Sequence, residues 1–366
     1  MAAVWAVNAM ACVPTVRYGP DSDAHGWPVY LGSARHDASA GESLAAEPQP
    51  LWRTRAGRSV RGAIAIGTSV VAVGTTDRVV VLLERATGKV LWRRRVSGTV
   101  AGGPLITGSH VFVATQAVPD GRVFALELRT GKIAWAVRTP GVTAPLALAD
   151  SLVIAVTDAG DVLGLAAVSG QKRWSRTLGR AARATPVPTP DGIVVATLGD
   201  SLFLLDAATG AVHARLSTPG TVIGTPASDG RHLFFGTTAG HLVAVALATC
   251  TVAWDRAVDG AVYGAVALQG DTLIALTGDG TLWRVPVDSP ASARHVALGI
   301  PATAGPTPIA GAVLVAGITG EVVLVDAASD SVRWRLRRRA PIEEPPLVRD
   351  RQLFLVSGGG TVEALQ

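Results

Sequence analysis

The chain has 366 residues, a formal net charge of +5 and 48% apolar residues, enough for a sizeable core. No run of 18 or more apolar residues occurs, so no segment is long and apolar enough to cross a membrane as a helix. Lysine appears only at Lys89, Lys132 and Lys172, so nearly all the positive charge is arginine.

The first element, residues 1–12, is signal-like. MAAVWAVNAMA is apolar and ends in small residues before Cys12, which resembles the end of a bacterial lipoprotein signal. Ala9 stands where Leu is usual, and no basic stretch precedes it. The expectation is a lipidated Cys12; a plainly cleaved signal and a cytosolic chain are the alternatives. With Cys12 acylated, Cys250 is a lone thiol and no disulfide framework exists. Residues 13–48, rich in Ala, Ser, Gly, Pro and Asp, read as a flexible tether and lead-in, so loss of residues 1–40 should be tolerated. Asp21 opens a stretch that begins like a calcium loop, but Gly32 holds the twelfth position where Glu is required, and a polar linker is the better reading.

From residue 49 a period near 40 takes over. Trp52, Trp92, Trp135, Trp174, Trp254 and Trp334 lie at intervals of 40, 43, 39, 80 and 80, and halving the long gaps adds slots at Ala214 and Arg294. Each slot follows an apolar strand and a tight turn, as in VFALELRTGKIAW ending at Trp135. Gly88, Gly131, Gly170 and Gly210 hold the turn, where Gly supplies a positive φ; Cys250, Pro290 and Asp330 replace it elsewhere. Glu84, Glu127, Asp206 and Asp326, four residues before the turn position, are placed to accept hydrogen bonds from turn N–H groups. Pro104, Pro145, Pro186, Pro226, Pro306 and Pro346 follow their slots by 10 or 12 residues, with Ile64 and Val266 in their place in the other two repeats. They mark the start of an innermost strand, where space is tight. One full repeat reads as strands 103–107, 110–115, 122–128 and 132–139, joined by polar turns. A 40-residue period of four short strands is the signature of a β-propeller.

The ends complete each other. The last repeat stops at TVEAL (361–365), a third strand without a fourth, and PLWRTRA (50–56) is a fourth strand without the other three. The expected fold is all-β: an eight-bladed propeller of four-stranded antiparallel blades over 49–366, with the N-terminal strand completing the C-terminal blade. Closure removes the open sheet edge.

The turn-and-Trp repeat resembles the PQQ-like β-propeller repeat family, and GWPVYLGSARHDASAGES (26–43) resembles the lead-in of its secreted members. The resemblance covers residues 27–366, with the repeat around Arg294 degenerate. It implies the fold and leaves function open between BamB-like outer-membrane lipoproteins and quinoprotein dehydrogenases. The dehydrogenases use carboxylate and Asn ligands to calcium and an adjacent cysteine pair. Here the only Asn is Asn8 and no cysteines are adjacent. No catalytic, metal or cofactor residues are assigned, and no cofactor is expected. The seven histidines lack zinc spacing; His232 and His241 flank one hairpin and are read as a surface pair.

Arginines cluster at the ends of outer strands and in the connections after them: Arg93, Arg95, Arg180, Arg183, Arg337 and Arg339, with Arg53, Arg55, Arg58, Arg61, Arg138 and Arg176 nearby. On an outer strand they blunt an edge against aggregation. As a surface, they share their face with Asp77, Asp158, Asp200, Asp279 and Glu321, a mixed charge that suits a protein partner rather than nucleic acid. The functional expectation is a non-catalytic envelope scaffold, BamB-like, on the periplasmic side of the outer membrane, binding protein partners of the barrel assembly complex and the membrane through a lipid anchor. A quinoprotein-type oxidoreductase and an accessory subunit of another membrane complex are the alternatives.

Overall fold

Short apolar runs such as VVAVG and VVVLLE, broken every few positions by Gly, Asp or Ser turns and followed by an outer strand that alternates, leave the backbone one economical option: a meander. The computed structural model describes residues 30–36, 41–44, 47–117 and 119–366. Eight antiparallel sheets follow one another in chain order. Blade 2 is typical: strand A is Leu105–Thr107, B is His110–Gln116, C is Gly121–Glu127 and D is Ile133–Thr139. An extra short strand, Thr99–Val100, joins this blade beside strand B. Each Pro landmark sits one residue before its strand A, or two in blade 3, so its missing N–H breaks no ladder.

Blade 8 closes the ring as expected. Strands Leu347–Arg349, Gln352–Ser357 and Thr361–Leu365 are completed by Pro50–Arg55, with Pro50 opposite Leu365 and Trp52 opposite Ala364. Gln49 and Gln366 exchange backbone hydrogen bonds of 2.7 and 2.8 Å at the seam. Apolar faces of neighbouring blades fill the interior: one cluster joins Val71 of blade 1, Phe124 of blade 2 and Phe354 of blade 8.

The periodic tryptophans bolt blade to blade. A β-bulge just before Trp92, Trp135, Trp174 and Trp254 re-aims the ring towards the next blade. The indole N–H of Trp52, Trp92, Trp135, Trp174 and Trp254 then donates to the carbonyls of Arg85, Leu128, Ala167, Ala207 and Val287 at 2.8–3.0 Å. The rings of Trp52, Trp92, Trp135 and Trp174 lie against the turn glycine of that next blade; the corresponding turn position ahead of Trp254 is Pro290. A Cβ on Gly131 would sit 2.7 Å from Trp92, so this glycine is required by packing as well as by its φ of 65°. Where the slot holds Ala214, the facing turn residue is Cys250, whose thiol donates to the Leu247 carbonyl at 3.4 Å beside its own backbone N–H at 3.3 Å. Burial, then the charge of Asp191, pushes that thiol's pKa up, which keeps the reactive thiolate scarce.

The turn acids divide by length. Asp206 and Asp326 accept backbone N–H groups from Thr209, Ala328 and Ser329 at 2.7–2.9 Å. The longer Glu84 and Glu127 instead take the hydroxyls of Thr87 and Thr130. His232 and His241 do not meet; each pairs with its own carboxylate, Asp229 at 3.3 Å and Asp255 at 2.7 Å.

Residues 30–36 and 41–44, which composition places in a flexible lead-in, are docked. Two positive-φ residues, Leu31 and His36, fold 30–36 into a compact turn. Its carbonyls at Ala34 and Arg35 accept N–H groups of Ser228 in blade 5 (2.7 Å) and Leu268 in blade 6 (3.0 Å), and the His36 ring meets the Val266 carbonyl at 2.7 Å. Glu42 receives Ala310 of blade 7 on its carbonyl and Arg351 of blade 8 on its carboxylate. Backbone groups that composition leaves to water are here paired with strand ends, and Leu31 is buried. Cys12 and the calcium-like stretch from Asp21 to position 29 lie outside the described residues.

Candidate site: the axial cup and its face

The segments that join strand D to the next strand A converge on the propeller axis. Two residues before each Pro landmark the repeat holds Gly, Ala or Thr in seven blades, at positions 62, 102, 143, 184, 224, 264 and 304. Neighbouring backbones force this: a Cβ on Gly224 would lie 1.9 Å from the Gly264 carbonyl oxygen. The eighth position is Glu344. Its carboxylate accepts the Gly62 N–H at 2.8 Å and the Tyr30 hydroxyl at 3.4 Å. Tyr30 belongs to the docked lead-in, so the ring exception and the plug meet on the axis.

Together they make the floor of a cup of about 490 Å³, open on the face that carries the D–A and B–C connections. One residue further out, the rim bears Arg61, Arg183, Tyr263 and Glu343. Burial pushes Glu344 up to about 7; the Gly62 and Tyr30 hydrogen bonds oppose this, and the charge of Glu343 adds to it. Burial, then Glu344, raises the Tyr30 phenol as well. The floor thus sits on the edge of neutrality, below a rim of fixed charge.

Around the cup, the acids are engaged locally. Asp158 holds Thr143 at 2.7 Å and Gln116 at 3.3 Å, Asp200 holds Thr221 at 2.6 Å, and Glu321 pairs with Arg335 at 3.4 Å. Asp279 binds Thr281 and stays ionised below the usual range, its bond from Thr277 the main cause.

The six arginines singled out by sequence do not form one cluster. Arg93 is committed to the carbonyls of Ala56 (2.6 Å) and Arg55 (3.0 Å), tying blade 1 to blade 8. Arg183 reaches the cup, and Arg180 lies against Gly199 in the next blade's B–C turn. Arg337 ends strand D of blade 7, Val332–Arg337, and Arg339 follows it, both exposed. Arg95 lines a separate cleft with Arg58, Arg78 and Asp77. Arg176 belongs to the frame, donating to the Gly210 carbonyl at 2.9 Å. Sequence reasoning missed Tyr30, Glu343 and Glu344; aligning the eight repeats on their Pro landmarks exposes Glu344 as the one charged member of a small-residue ring. Among the described residues, no three His, Cys, Asp or Glu side chains gather as metal ligands.

No curated protein matches the chain. Among solved structures, BamB from Moraxella catarrhalis superposes with a TM-score of 0.75 at 18% identity, covering 87% of this chain and 100% of its own. Quinohemoprotein alcohol dehydrogenase from Comamonas testosteroni gives 0.78 at 13% identity over 94% of this chain and 81% of its own. The computationally designed Ika8 protein gives 0.74 at 15% identity over 87% and 99%. At such identities the likeness is one of fold. The family described as outer membrane protein assembly factor BamB matches residues 42–188, 181–282 and 273–366, and the chain belongs to that family.

Proposed function

We propose that this protein is a non-catalytic scaffold of the cell envelope, held by a lipidated Cys12 on the periplasmic side of the outer membrane, where it docks protein partners in outer-membrane protein assembly. The observation that carries the reading is the family match spanning residues 42–366. The face around the cup supplies the docking surface: rigidly framed loops carrying exposed Arg95, Arg180, Arg183, Arg337 and Arg339 beside exposed Leu198, Tyr263 and Ile318. Arginine and isolated apolar side chains on a fixed frame suit protein recognition. Residue chemistry supports the absence of quinoprotein catalysis, because the chain has neither an adjacent cysteine pair nor any Asn beyond Asn8.

The test is affinity capture of the native protein followed by mass spectrometry. Subunits of the barrel assembly complex are expected. Recovery of respiratory or photosynthetic subunits instead would favour an accessory role in another membrane complex. Tight one-to-one binding of PQQ with Ca²⁺ in a calorimetric titration would favour the dehydrogenase reading.

A further inference from the structure

We infer that the cleft lined by Arg58, Arg78 and Arg95 is an anion site that receives an acidic segment of a protein partner. The inference rests on the docking reading of the same face. Three chain segments build the cleft. Arg95 closes strand D of blade 1, Val90–Arg95, and stands opposite Val79 in register. Arg78 sits in the B–C turn with a φ of 66°, a left-handed conformation unusual for a long side chain. Arg58 comes from the connection that leaves the closing blade, and its backbone N–H is held by Asp77 at 3.4 Å. The turn and the closing seam therefore fix where the three guanidinium groups start.

Their charge is unmatched. Asp77 is the one carboxylate lining the cleft. Burial works against its ionisation, but hydrogen bonds from Thr75 and from the N–H groups of Asp77 and Arg58, with the charge of Arg58, hold it below the usual range. Asp77 thus offsets one guanidinium, nearest Arg58. Arg78 and Arg95 are exposed, and among the described residues neither side chain has a hydrogen-bond or ion-pair partner. Several other arginines of this protein are instead paired with carboxylates: Arg138 with Asp120, Arg284 with Asp330, Arg338 with Glu363. Two free guanidinium forks in one recess match a pair of carboxylates, each able to form parallel N–H···O bonds. Arg61 on the cup rim lies three residues from Arg58 and continues the basic track towards the axis.

A protein segment fits this recess better than the other polyanions. The charges line a concavity floored by Thr76 and Val79, which a flat bilayer does not enter, and no aromatic ring lines it to stack on a base.

The test uses the full chain and a fluorescent peptide of about ten residues alternating glutamate and serine, read by anisotropy. Wild type is expected to bind, with affinity falling as salt rises. Arg78→Glu with Arg95→Glu should weaken binding about 10-fold or more, whereas charge reversal of two exposed arginines away from this face, Arg173→Glu on the outer strand of blade 3 with Arg231→Glu in blade 5, should leave it nearly unchanged. Arg95→Gln alone, with an unchanged melting temperature, should give an intermediate loss and guards against misfolding of the double variant. Equal binding by wild type and the Arg78/Arg95 variant overturns the inference. So does arginine-dependent binding confined to phosphatidylglycerol vesicles or single-stranded DNA. A partner still captured from cells by the Arg78/Arg95 variant, with peptide binding insensitive to it, leaves the docking reading standing and removes this one.

Discussion

Arg294 donates through its guanidinium to the carbonyl of Ala327, 3.3 Å away, in the place where five other blades set an indole N–H. Asp330, in the turn position that four other blades fill with Gly, pairs with Arg294 at 3.3 Å and with Arg284 at 2.6 Å. The period is thus a repeated donor between blades, which an arginine meets as well as a tryptophan. Trp334 marks the limit. It faces the closing seam, where chain ends replace a C–D turn, and its buried indole N–H finds no acceptor among the described residues.

The same logic makes Ala214 and Cys250 a coupled pair. Ala214→Trp alone should destabilise, because a Cβ at the facing turn position approaches the indole as closely as 2.4 Å in the filled slots. Adding Cys250→Gly should raise stability above wild type, since the turn regains its glycine and the Leu247 carbonyl a stronger donor. A double-mutant cycle by denaturant unfolding should show a coupling of about 1–3 kcal/mol. Additive effects would break the account.

Truncation separates the two N-terminal contributions. Removing residues 1–56 takes strand D from blade 8 and exposes both a backbone edge and an apolar face, so the whole ring should melt far lower. Removing residues 361–366 should be nearly as harmful, because it strips strand C, Thr361–Leu365, from the same blade. Removing residues 1–40 looks harmless from composition. The docked contacts of Leu31, Ala34, Arg35 and His36 change that expectation to a loss of a few degrees, and Leu31→Ala should reproduce part of it. Thermal melts of the four proteins decide, and a 1–40 deletion that melts like wild type would show the plug to be energetically idle.

Glu344 should give stability a pH slope. Its pKa rises from 4.5 to about 7 on folding, so the folded state favours the protonated form. The stabilisation is complete below the ordinary value and is lost as pH rises through about 7. At about 1.4 kcal/mol per unit, reduced by the solvent that reaches the cup, the loss is on the order of 2 kcal/mol. Glu344→Gln should flatten the dependence between pH 5 and 8 and melt above wild type at the upper end. Parallel slopes for the two proteins would refute the assignment.

Anchoring has its own test. Cys12→Ser should move the protein from membranes to the soluble envelope fraction. Full retention on membranes washed in high salt would mean that lipidation is not what holds it.

Most of the frame was legible in the sequence because it repeats. Blade number, strand order and the closing pair of 50–55 with 361–365 follow from Trp and Pro positions that recur. The plug was not legible. Residues 30–36 have no period, and their fold depends on positive φ at Leu31 and His36 and on carbonyls meeting strand ends of distant blades, which composition does not report. The arginines were legible as a class, not as individuals. Arg93 and Arg95 share one face of the same strand, yet Arg93 reaches the carbonyls of Ala56 and Arg55 beside it, whereas Arg95 ends the strand and lines an open cleft.

The docked lead-in also determines how the ring bears a pull on its N-terminal side. Tension passing Tyr30 meets the contacts at Ala34, Arg35, His36 and Glu42, which spread it over blades 5 to 8, before it reaches the strand that closes the propeller. That strand is bound by a ladder which, loaded from its end, would open one bond at a time. With the lead-in seated, several bonds to separate blades share the load ahead of the ladder. The segment is a strain relief, and the joint that closes the ring is the last to feel the force.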